Sequence, residues 1–142
     1  MGVRSNDSAL VGGQQFFQDS VEMDSTTYLD GALVLGVQTF TDTGTASAAP
    51  TIILNKGSAI DLNLPDLTDD KIGQVHYIIS KTAQEHIVRP TTSAGAWATA
   101  TFDGAIGDNI TTIWTDQGWA LTGRGGGKAA GEDEVVDLPT IA

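Results

Sequence analysis

The stretch AIDLNLPDLTDDKIGQVHYIISK, residues 59–81, decides the fold. Its first part alternates apolar and polar side chains, placing Ile60, Leu62 and Leu64 on one face of an extended strand. Pro65 ends that strand, and the polar run to Gly73 supplies a long turn. Gln74–Lys81 (QVHYIISK) then reads as the strongest strand of the chain, rich in β-branched and aromatic residues. Working outward, the same alphabet of short strands and turn signals repeats. ALVLGVQTF (Ala32–Phe40) is a strand with a central glycine, and PTIIL (Pro50–Leu54) follows the small-residue loop TDTGTASAA. Glu85–Arg89 forms a strand stopped by Pro90, and Trp97–Phe102 (WATATF) alternates again. NITTIWT (Asn109–Thr115) and WALT (Trp119–Thr122) flank Asp116-Gln117-Gly118 as a hairpin. About eight or nine strands with no helix between them exclude parallel β/α architectures. The expectation is an all-β fold, an antiparallel β-sandwich or jelly roll over residues 27–124.

Both ends read differently. Residues 1–26 show no sustained period, and Gly12-Gly13 interrupts any helix. This reads either as an extended N-terminal arm whose apolar residues, Leu10, Val11, Phe16 and Phe17, come in isolated clumps and order mainly against something else, or as a disordered terminus. Residues 125–142 form a short flexible tail, glycine-rich and then acidic, with an apolar end at Val135, Val136 and Leu138 that can dock on a neighbour.

Composition narrows the function. The 142 residues fit one domain with a sizeable core, and with 40% hydrophobic and 18% charged residues the chain is neither a polyelectrolyte nor a coiled coil. No apolar run reaches the ~18 residues of a membrane-spanning helix. The first residues, MGVRSNDSALVGG, lack the apolar core of a secretory leader, which argues against export by that route. There are no cysteines, hence no disulfide, thiolate metal site or cysteine nucleophile. Eighteen acids against seven bases give a net charge of −11, which repels nucleic acid and anionic lipid.

Catalytic motifs fail on inspection. His76 and His86 have no third ligand at a recognisable spacing, so zinc is not expected. Gly123-Arg124-Gly125-Gly126-Gly127-Lys128 is out of register for a phosphate loop, and Ala129 stands where Ser or Thr would hold magnesium. Asp103-Gly104 and Asp108-Asn109 lack calcium-loop spacing and are explained by turn chemistry. Paired carboxylates of a glycosidase or lyase are the remaining enzymatic reading, but nearly every Asp sits in a turn-like context. The expectation is a protein without catalytic activity and without a cofactor.

The whole run from Ile60 to Gly123 resembles a β-rich module of tailed-phage virion proteins, found in capsid decoration (cement) proteins, head fibres and some tail-fibre domains. The resemblance rests on Leu62, Leu64 and Pro65, the turn at Gly73, Tyr77-Ile78-Ile79, Ile87, Pro90 and the closing Trp119-Ala120-Leu121-Thr122-Gly123. It implies a homotrimer that sits on the outer capsid surface, binds the major capsid protein and stabilises the shell. It places the protein on the virion exterior after assembly in the host cytoplasm, with no nucleic-acid or membrane partner. One small domain with an arm and a tail suits a decoration protein better than a long fibre. On this reading the arm residues Leu10, Val11, Phe16 and Phe17 contact the capsid, while Tyr77, Trp97, Trp114 and Trp119 pack in the core or the trimer interface. The alternative is a receptor- or glycan-binding fibre module, which would stack sugars on Trp97 or Trp114.

Overall fold

A computed structural model describes residues 35–127 and 138–142. Eleven strands and one short 3₁₀ turn make up the described fold. The strands are β1 (Val37–Phe40), β2 (Gly44–Thr45), β3 (Thr51–Leu54), β4 (Asp61–Leu64), β5 (Val75–Ser80), β6 (Ile87–Pro90), β7 (Ser93–Ala94), β8 (Ala100–Thr101), β9 (Asn109–Thr115), β10 (Gly118–Gly125) and β11 (Thr140–Ile141). They form a six-stranded sheet A, ordered β1-β3-β5-β9-β10-β7, and a five-stranded sheet B, ordered β11-β8-β6-β4-β2. The all-β, sandwich-like expectation holds.

The pairing is mixed, which corrects the antiparallel expectation. From β1 to β9 the chain changes sheet at every strand, and β3, β4, β5, β6 and β8 each land beside the strand two earlier. Hence β1, β3 and β5 run parallel in sheet A, and β2, β4 and β6 run parallel in sheet B. Parallel neighbours need a long crossover, usually a helix. Here the crossover is a strand of the opposite sheet. Two antiparallel partners, β9 on β5 and β8 on β6, end the parallel runs, and the β9–β10 hairpin extends sheet A.

One hydrophobic cluster joins the sheets. Ile52, Ile78 and Ile110 stand in register across sheet A, and Leu62, Val88 and Ala100 across sheet B; all six are fully buried. The alternation in Asp61–Leu64 is realised, with Leu62 and Leu64 inside. The expected strand Trp97–Phe102 is paired only at Ala100–Thr101, because the Ala98 and Thr99 amides donate to the Ala142 carbonyl. That contact also changes the reading of the tail. Val135 and Val136 lie outside the described residues, but Thr140–Ile141 pairs with β8 of its own chain, where an unfilled edge was available. The loop TDTGTASAA likewise contributes β2. The proposed arm falls wholly outside the described residues.

Trp119 is the central side chain. It is fully buried, donates its indole N–H to the Pro65 carbonyl at 2.8 Å and receives the Trp97 indole N–H on its own carbonyl at 2.8 Å. The hairpin must bring Gly118 against Thr92 to place it: Gly118 has φ +111°, and a Cβ there would lie 2.7 Å from the Thr92 carbonyl oxygen. Gly118→Ala is therefore expected to cost about 2–3 kcal/mol in urea unfolding. Gly57→Ala, where a Cβ meets nothing within 4 Å, should change stability by less than about 1 kcal/mol.

Candidate functional site

The two sheets present very different outer faces. Sheet B shows Asp61, Asn63, Arg89 and Thr101 outward, and the Arg89 Nε–H is shared between both carboxylate oxygens of Asp61 at 3.0 and 2.9 Å. This is an ordinary solvated face, and the exposed ion pair contributes little. Sheet A has no Asp, Glu or Lys in any of its six strands. Its one charged strand residue, Arg124, stands in register with inward Ile110 and donates to the Pro139 carbonyl at 3.0 Å. One outward row runs Val37, Thr51, Tyr77, Thr111, Gly123, and the next runs Thr39, Ile53, Ile79, Asn109, Gly125. Tyr77 is 48% exposed and Val37 56%.

The polar chemistry lies inside. His76 donates from Nδ1 to the Ala49 carbonyl at 2.8 Å and stacks on Trp119 with ring centres 4.8 Å apart. Its Nε2 has no protein partner, so a proton there would be an unpaired buried donor. His86 accepts the Ile60 amide on Nδ1 at 3.0 Å, and its Nε2–H donates to Thr82 Oγ1, which donates to the Lys56 carbonyl at 2.7 Å. His86 thereby ties the β3–β4 crossover to the β5–β6 crossover. Burial lowers the pKa of both histidines.

Asp108 is the third buried polar anchor. Its Oδ2 accepts the Gly104 and Ala105 amides at 3.1 and 3.0 Å, and Oδ1 accepts the Gly127 amide at 2.8 Å. The residues that suggested calcium and phosphate loops thus meet in backbone capping. Among the described residues, no three His, Asp or Glu side chains gather as a metal-binding group.

The expected site residues separate into three places. Leu10, Val11, Phe16 and Phe17 lie outside the described residues. Trp97, Trp114 and Trp119 are in the core, with Trp97 4% and Trp114 7% exposed, so neither offers a stacking face for a sugar. Tyr77 alone stands on a surface, the uncharged face of sheet A. Sequence reading missed that face, although the absence of Asp, Glu and Lys from TIIL, VHYIIS and NITTIWT was its visible signal. No known protein-family model matches the chain, and no curated protein is significantly similar to it.

Protonation of the histidines gives a measurable consequence. Their pKa values are lowered on folding, so below about 6.5 the unfolded chain binds more protons than the native one. Their stabilising contribution is complete above that pH and declines as pH falls through 6.5 toward the lowered native values. The urea midpoint should drop between pH 7.5 and 5.5, and His86→Gln should flatten that dependence while lowering the midpoint at pH 7.5. An unchanged slope in His86→Gln and in His76→Gln would show that other groups control it.

Proposed function

We propose that the chain is a capsid decoration protein of a tailed phage, a non-catalytic homotrimer without a cofactor that binds the major capsid protein on the outside of the head and stabilises the shell. It acts on the virion exterior after assembly in the host cytoplasm. The supporting observation is a contact between the two ends of the stretch that carries the virion-module resemblance. Leu62 and Leu64 line the core, the Pro65 carbonyl accepts the Trp119 indole N–H across 54 positions of sequence, and Tyr77 faces outward from β5. The motif is thus a framework motif, as expected of a module whose job is mechanical. The uncharged face carrying Tyr77 suits a protein that works by association.

Attachment is assigned to residues 1–26 through Leu10, Val11, Phe16 and Phe17. Burying each phenylalanine on the shell contributes about 1.5–3 kcal/mol, and three arms act together through high effective concentration. Quantitative mass spectrometry of purified virions should find hundreds of copies per particle, whereas a handful would mark a tail tip. Deleting residues 1–26 should leave a folded trimer whose capsid affinity is at least about tenfold weaker. Full decoration by the truncated chain would move the contact to the β domain or the C-terminal segment.

A further inference from the structure

We infer that the outer face of sheet A is the surface through which copies of this chain associate. The inference rests on the homotrimer reading and names the face that would build it.

The first argument is β5. Its outward residues are Val75, Tyr77 and Ile79, and its inward residues are His76, Ile78 and Ser80. The strand turns its more apolar side away from its own core. A register shift of one residue would exchange the two sets and bury the apolar one. The inward set is instead held by His76 on Ala49 and Trp119, and by Ser80, whose amide donates to the Asp108 carbonyl at 2.8 Å. Such a local violation of hydrophobic patterning is expected where a surface has a second use.

The second argument is the sheet type. Parallel sheets ordinarily have both faces covered, and their strands read as continuous apolar runs. β1, β3 and β5 are parallel, and β3 is TIIL. Within the described residues, sheet B covers only one side. Of the seven exposed large hydrophobic residues among those described, three, Val37, Tyr77 and Ile79, fall on the other.

The third argument selects the occupant. Every copy carries a net charge of −11, so two copies approach at least electrostatic cost where neither presents carboxylates. The described acids lie in turns, in loops and on sheet B, and sheet A's outer face has none. Charges on the outer side of sheet B stand about 10 Å further back, one sheet spacing. That exceeds the ~8 Å screening length at physiological salt, so the repulsion across a sheet A contact is damped. A basic partner surface would gain nothing from a face without acids, whereas a second acidic copy meets such a face at least cost.

The test is the mass of the full chain by sedimentation velocity from 1 to 100 µM (about the usual range for such interfaces). Tyr77→Lys and Ile79→Lys put a cation on the face at half-exposed positions, and Thr51→Lys does so in the Tyr77 row. Thr101→Lys, on the outer face of sheet B, is the control. The wild-type chain and Thr101→Lys should be oligomers of equal mass, and the sheet A variants should be folded chains with self-association weakened about tenfold or more. If Tyr77→Lys does not fold, Thr51→Lys carries the same test. Sheet A variants that associate like the wild type would overturn the inference while leaving the homotrimer intact. A wild-type dimer broken by Tyr77→Lys would uphold this face and overturn the trimer. A monomeric wild-type chain would overturn both.

Discussion

The structure depends most on the placement of one indole. Trp119 sits at the start of β10, but its hydrogen bonds run to Pro65 at the exit of β4 and from Trp97 in the loop before β8, and its backbone amide donates to the Thr92 carbonyl. Its ring packs on His76 and at 5.4 Å from the ring of Trp114. This one residue thus holds two loops, one through its indole and one through its backbone carbonyl, and its ring joins β5, β9 and β10 of the same sheet. Replacing the ring by a small residue would leave a large cavity and an unpaired Pro65 carbonyl together, two costs that reinforce each other. The left-handed turn at Gly118 exists because the backbone must pass this close to Thr92 for the indole to reach its place.

Given that anchor, much of the fold is readable in the sequence, and the part that is not has a specific cause. The alternation around Leu62 and Leu64 and the hairpin at Asp116–Gly118 are local patterns, so the residues themselves declare them. Strand direction is not local. The lack of helices excludes βαβ crossovers, and antiparallel pairing is the ordinary inference from that. It does not follow here, because a strand of the facing sheet does the work of the crossover helix. The short partners β2, β7 and β11 were illegible for a related reason. Two residues such as Gly44-Thr45 have no period, and only their neighbour in the sheet makes them strands.

The candidate surface was harder to read than the core. VHYIIS is apolar on both sides, so periodicity cannot say whether Tyr77 or His76 faces inward. The decision is made by distant groups: the Ala49 carbonyl that receives His76 and the Asp108 carbonyl that receives the Ser80 amide. The three tryptophans, expected in the core or the trimer interface, lie in the core. As amphipathic residues they suit a binding surface, but two of their indole N–H groups find buried carbonyls, and the rings are withdrawn from solvent. The charge pattern was the better guide, since strands without acids in an acidic chain are not expected of a freely solvated face.

The open edges of the sheets would offer copies of the chain another route to association, growth along the stack. In the described fold β1 ends sheet A and β2 ends sheet B. A winding of parallel strands that stops at an open edge invites the next copy to continue it, and such head-to-tail pairing generates fibres when it does not close. Here the edges are blunted. β1 has four residues and β2 two, so little ladder is available. The Gln38 side chain is already engaged, its Oε1 accepting both the amide and the hydroxyl of Ser47, and β1 leads directly into Asp42, which pairs with Lys56 at 2.7 Å. Among the described residues, a long, continuous surface without acidic strand residues is instead the flank of sheet A. A contact there leaves backbone ladders unused and depends on side chains alone, so its register and its closure are set by the rows through Tyr77 and Ile79.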